Sequence, residues 1–197
     1  MKKKLICCVA VLFLLLTGCA KAEIYNENPL PLEADAVAYY DELGITDDVR
    51  KHAEAVYQTF TLRGEKEVQV RLPEYWEDIY VLFNDGSIIG VSEKYNYEKI
   101  ETGGLWTIDA MTYEEFAEYE KHYEKPYEEI LGANTAVIGC DDEYVYMMSC
   151  PTDVQFEYTE EKATALYQAA WDTREQFISD FLTVNNITPN EKAPVLN

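Results

Sequence analysis

The chain holds only two histidines, His52 and His122, and neither belongs to an HExxH pair or another spacing that recruits zinc. A Walker-type phosphate loop, a GxGxxG fingerprint, a GxSxG elbow and a CxxC pair are all missing. No cofactor is expected, and no catalytic, cofactor-binding or metal residue is assigned by spacing. Cations are scarce: 16 Lys and Arg face 37 Asp and Glu among 197 residues, a formal net charge of −21. Such a chain repels a polyanion instead of exchanging counterions with it, so no nucleic acid partner is expected. Acidity of this kind serves solubility, with attraction for cationic partners or divalent metals as the functional alternative. The one long apolar run, within residues 5–18, reaches about 21 Å as a helix, short of a ~30 Å hydrocarbon core.

What the first nineteen residues do contain is a secretory pattern, MKKKLICCVAVLFLLLTGC. Lys2, Lys3 and Lys4 form a cationic start, an apolar stretch follows, and small residues precede Cys19. The ending Leu16-Thr17-Gly18-Cys19 resembles the lipobox of bacterial lipoproteins. The resemblance covers these nineteen residues alone. It implies a diacylglyceryl group on the Cys19 thiol, cleavage after Gly18, and a lipid-anchored position on the extracytoplasmic face of a cell membrane. Two acyl chains, at ~0.8 kcal/mol per buried CH₂, hold a soluble domain to a bilayer where one does not. Ala20 is not the Asp that the family's sorting rule links to inner-membrane retention. An uncleaved anchor and an ordinary signal peptide are the competing readings.

Residues 1–18 contain three Lys and no acid, so the mature chain carries 13 basic and 37 acidic side chains, net −24. Its length suits one domain with a real core, and its 16 Tyr argue against disorder. Cys7 and Cys8 leave with the signal and Cys19 is lipidated, which leaves Cys140 and Cys150. If Asp141 and Asp142 turn a hairpin, those two sulfurs lie about 20 Å apart, too far for a disulfide. Two buried thiols are expected.

Residues 19–32 carry the lipidated Cys and a Pro-containing stretch without apolar period, read as a flexible tether of roughly 40 Å. A single α+β domain is expected over 33–185, followed by a polar tail over 186–197. A short helix runs from about Ala34 to Leu43, closed by Gly44. Another starts after Thr46 as N-cap, with Val49, Ala53, Val56, Tyr57 and Phe60 on one stripe. The period then changes to two. Val68, Val70 and Leu72 alternate with Glu67, Gln69 and Arg71 in a half-buried strand. Asn84-Asp85-Gly86 turns a tight hairpin between Ile79–Phe83 and Ile88–Val91. Leu105 to Ile108 adds a strand. Thr112 and Glu115 form a capping box with a Met111/Phe116 staple, which starts a helix at Tyr113 that stops before Pro126. Thr135 to Gly139 and Tyr144 to Ser149 form a second hairpin. From Ala163 to Leu182 one apolar face marks a long amphipathic helix, with Asp172, Glu175, Gln176, Ser179 and Asp180 opposite. Hairpin-linked strands flanked by helices make an α+β fold around an antiparallel sheet, with a long C-terminal helix. Both faces of the strands at 79–83 and 144–148 are apolar, so helices cover both, or one is a Tyr-rich docking surface.

Candidate chemistry is thin. His52 lies one turn after Asp48, which can orient its ring, and is read as structural; His122 sits among Glu118, Glu120 and Glu124 and is read as part of a solvated helix face. Asp47-Asp48 and Glu160-Glu161 suit helix starts. Asp141-Asp142-Glu143 lacks the remaining ligands of a calcium loop, and turn chemistry accounts for it. Asn186-Ile187-Thr188 matches a glycosylation sequon of little weight beside a lipobox. The expectation is a membrane-anchored extracytoplasmic binding or interaction module for a peptide, wall component or partner protein. The alternative is an extracytoplasmic hydrolase using carboxylates or a metal.

Overall fold

In the computed structural model, which describes residues 22–190, the chain is α+β. The first elements follow the expected caps. Helix α1 (Ala34–Glu42) ends at Leu43 before Gly44, whose φ of +77° suits a residue without Cβ. Helix α2 (Asp47–His52) starts with the Thr46 side chain accepting from the Val49 amide at 3.3 Å. It does not run on to Phe60. Ala53 is extended, and Ala55–Leu62 forms strand β1, paired antiparallel with β2 (Lys66–Pro73) around Arg63 and Gly64, both at positive φ. Val56, Tyr57 and Phe60 are β-branched or aromatic, and the partner strand gives them more than a helix stripe would.

Helix α3 (Trp76–Ile79) leads into the hairpin of β3 (Tyr80–Asn84) and β4 (Ile89–Glu93). Its loop spans residues 85–88, one residue further along than the 84–87 left between the expected strands, and the Asp85 carboxylate closes it by accepting from the amides of Ser87 and Ile88 at 2.8 and 3.1 Å. Helix α4 (Lys94–Ile100) is capped by the buried Glu93 carboxylate. Strand β5 (Gly104–Thr112) is twice the length expected and ends directly on the capping box of α5 (Tyr113–Tyr123), which is present as read. Helix α6 (Tyr127–Ile130) precedes the second hairpin, β6 (Thr135–Cys140) and β7 (Tyr144–Ser149). The C-terminal helical rod consists of α7 (Glu161–Trp171) and α8 (Arg174–Val184), with a local tightening at Asp172 and Thr173, where the Thr173 hydroxyl donates to the Ala170 carbonyl at 2.7 Å.

A short strand β8 (Thr188–Pro189) completes a six-stranded antiparallel sheet in the order β3-β4-β5-β7-β6-β8, beside the two-stranded β1-β2 sheet. The segment after Asn185, read as a polar tail, thus begins by pairing: Ile187 is buried and Thr188 sits opposite Cys140. Gly139 permits this, since a Cβ there would meet the Thr188 carbonyl at 2.6 Å. Residues 191–197 lie outside the described residues.

Both faces of the central strands are covered. On one, Trp106, Ile108, Tyr146 and Met148 pack with α8, whose Phe177 lies 5.2 Å from the Trp106 ring and Phe181 6.0 Å from that of Tyr146. On the other, Tyr127 of α6 reaches the Met147 sulfur at 2.6 Å and stacks on Phe116. The apolar faces at 144–148 are core. Helix α8 also meets β2, where the Asn185 side chain accepts from the Gln69 amide and donates to the Gln69 carbonyl, each at 2.7 Å. Asn84 does the same to Thr61 on the other edge of that hairpin. Two asparagines thereby finish strand edges that would otherwise invite pairing.

The stretch read as a flexible tether is the largest departure. From Glu23 onward it is laid on the domain. The Ala55 amide donates to the Glu23 carbonyl at 2.7 Å and the Tyr25 amide to the Ala53 carbonyl at 2.8 Å. Arg71 donates to the Ile24 carbonyl at 2.9 Å, and Arg50 to that of Leu30. Side chains distant in sequence hold it, so no local pattern announces the contact. Among the described residues no helix is long and apolar enough to cross a membrane.

Candidate functional site

Between this docked strap and helix α7 lies a cavity of about 650 Å³, within the range of small-molecule sites. Prolines 29 and 31 fix the strap's extended course across one side, with Leu30 and Leu32 among the apolar lining. Helix α7 forms the opposite wall through Thr164, Ala165, Gln168 and Ala169, two pairs one turn apart. Its other side, with Ala163, Leu166, Tyr167 and Ala170, is buried in the core. The rod therefore carries an apolar face toward the sheet and a mixed face toward the cavity.

Four tyrosines line the site: Tyr25 from the strap, Tyr40 from α1, Tyr75 ahead of α3 and Tyr80 from β3. Burial pushes all four phenols above their ordinary value, so each stays a neutral hydroxyl. Tyr80 bonds the Thr173 hydroxyl at 2.6 Å. That threonine's partners are a phenol and a carbonyl, neither a base of the kind that activates a nucleophile.

Arg50 is buried in the wall. Its guanidinium donates to the Leu30 carbonyl, lies 6.0 Å from the Tyr40 ring centre, and stands 3.9 Å from the Asp47 carboxylate. It clasps the strap. A second clasp is Arg71, just outside the cavity. It bonds Glu23 at 2.9–3.0 Å and Asp180 at 3.2 Å, and lies 4.9 Å from the Tyr25 ring centre. Asp180, read as part of the polar helix face, is therefore buried.

No family model, curated protein or solved structure matches the chain.

The residues singled out from sequence lie elsewhere. His52 is exposed, its Nδ1 2.8 Å from the Asp48 carbonyl and 3.3 Å from the Asp48 carboxylate. His122 sits edge-on to Tyr123 on exposed helix α5. Asp141 accepts from the amides of Glu143 and Tyr144, from Lys66 and from the Tyr146 hydroxyl, a structural hub. Among the described residues no group of three or more His, Cys, Asp and Glu is arranged to hold a metal ion. Cys150 is buried and Cys140 half-buried, instead of both being buried, and both are free thiols. Burial pushes the Cys150 thiol up, against the opposing pull of Arg174. Cys19 and Gly18 lie outside the described residues.

Sequence reasoning passed over the cavity residues because the strap, α1, α2, the turn before α3, β3 and α7 each contribute a few. The one local signal was Asn-Pro-Leu-Pro-Leu at 28–32, which reads equally well as a linker.

Proposed function

We propose that the protein is a lipid-anchored extracytoplasmic binding module whose ligand, a small molecule or peptide side chain with an apolar body, occupies the strap-roofed cavity. One observation carries the binding part: a cavity of about 650 Å³ with four neutral tyrosines, aliphatic walls and a few hydroxyl and carboxamide groups. Mixed apolar and sparse polar lining of this size is the usual makeup of a ligand site. The anchor rests on the lipobox-like ending at Cys19. Three residues separate Cys19 from the docked Glu23. Fully extended, that link reaches only about 14 Å, so lipid on Cys19 keeps the cavity close to the headgroups instead of lifted ~40 Å above them.

A thermal-shift screen of the mature, unlipidated protein against small amphipathic molecules and wall peptides tests the binding part. A true ligand at a hundred times its Kd stabilises by about 2.7 kcal/mol. Ala165→Trp, which fills the cavity from a half-buried position on α7, should abolish each shift while melting close to the parent. Shifts that survive the substitution, or none from any class, contradict the reading.

A further inference from the structure

The charges around the cavity narrow what it takes. Five carboxylates line it: Glu33 and Asp35 at the start of α1, Glu161 at the start of α7, and Asp172 and Glu175 near the α7–α8 junction. All five residues are exposed, so their side chains stand at the rim, with the buried Ala36, Tyr40, Ile79 and Tyr80 deeper. Among the described residues Arg50 is the single basic one in the lining, and its charge is already committed to the Leu30 carbonyl, the Tyr40 ring and Asp47. We infer that the ligand is an organic cation: a protonated amine or quaternary ammonium group on an apolar body. The inference rests on the cavity being the binding site.

Like charges lining a low-dielectric hollow focus their field and concentrate counterions of the opposite sign. The net charge of −24 over residues 19–197 acts in the same direction and works against an anionic ligand. Finally, two cavity rings already hold cations of the protein itself, Arg71 over Tyr25 at 4.9 Å and Arg50 near Tyr40 at 6.0 Å. Neutral phenol rings attract a cation placed over their faces, most strongly where water is excluded. An ammonium group at the cavity mouth meets carboxylates on its solvent side while its hydrocarbon body reaches the tyrosines and Ala165.

Three molecules of one shape separate the charge requirement from binding itself: 4-phenylbutylamine, 4-phenylbutanol and 4-phenylbutanoate, titrated calorimetrically into the mature protein at neutral pH. The amine should bind about tenfold tighter than the alcohol, and the carboxylate weakest. Among the described residues Glu33 and Glu161 have no ion-pair or side-chain hydrogen-bond partner, and Glu33 makes no cap bond. Glu33→Gln with Glu161→Gln should weaken the amine about threefold and leave the alcohol unchanged. Equal binding of amine and alcohol, or preference for the carboxylate, lost in each case in Ala165→Trp, overturns the cation assignment and leaves the site standing. Binding by none of the three, or binding that survives Ala165→Trp, overturns both.

Discussion

Asp141→Ala should lower the free energy of unfolding by about 3 kcal/mol at neutral pH, a large loss for a residue in a hairpin turn. The carboxylate is four-fold bonded. One oxygen accepts from the amides of Glu143 and Tyr144 at 2.9 and 2.8 Å, the other from Lys66 and the Tyr146 hydroxyl, both at 2.7 Å. It closes the β6–β7 turn, satisfies a hydroxyl on a core tyrosine, and ties β2 to the six-stranded sheet. The side chain is only 17% exposed, so water replaces these partners poorly. Burial alone would raise its pKa, but the bonds from Lys66, Tyr146 and the two amides win and hold it well below the usual carboxylate range. A group depressed in the folded state contributes fully above its unfolded value of about 3.9, and that contribution fades as the pH falls toward the folded value. Urea unfolding of the parent and of Asp141→Asn should therefore show a gap at pH 7 that narrows steadily below about pH 4. A gap of the same size at pH 7 and pH 3 would contradict the assignment.

The second large effect is expected at the strap. Arg71→Met alone strands the buried Asp180 carboxylate, left among the described residues with Gln176 at 2.9 Å, and should cost about 3 kcal/mol. Arg71→Met with Asp180→Asn removes the stranded charge and isolates the clasp. In the double variant the strap keeps its two backbone bonds to Ala53 and Ala55 and the Arg50 bond to Leu30. It loses the bonds to Ile24 and Glu23 and the cation over Tyr25. Amide exchange at Tyr25 should quicken by about tenfold or more, with the core strand β7 unchanged, since local opening tracks local contacts. Affinity for a cavity ligand should fall with it, because one wall is then only partly formed. Unaltered exchange at Tyr25 would show that Arg71 is not a clasp.

These two networks mark where the sequence is readable and where it is not. Local devices were legible: the Thr112/Glu115 capping box, the Thr46 cap, Gly44 after α1, the alternation of Val68, Val70 and Leu72, and the apolar face of the C-terminal rod. Each is decided by residues within a turn or a strand of one another. Strand β1 was not, because Val49, Ala53, Val56, Tyr57 and Phe60 fit a helical period as well, and only the partner strand across Arg63-Gly64 decides. Docking of residues 23–32 depends on Arg50 and Arg71, far along the chain. Asp180 looked solvated by its helical position and is buried by that same Arg71. The cavity is the extreme case, since no two consecutive elements suffice to build it. The opening nineteen residues resemble a lipoprotein signal and lie outside the described residues.

A photoreactive diazirine analogue of 4-phenylbutylamine, cross-linked to the mature protein and mapped by mass spectrometry, tests the assignment of the site most directly. The label should fall within residues 25–33 of the strap and 164–173 of the facing helix, and excess 4-phenylbutylamine should compete it away. Competable labelling at the exposed tyrosines of α5 or at the turn of residues 141–142, with the strap and α7 untouched, would contradict the account.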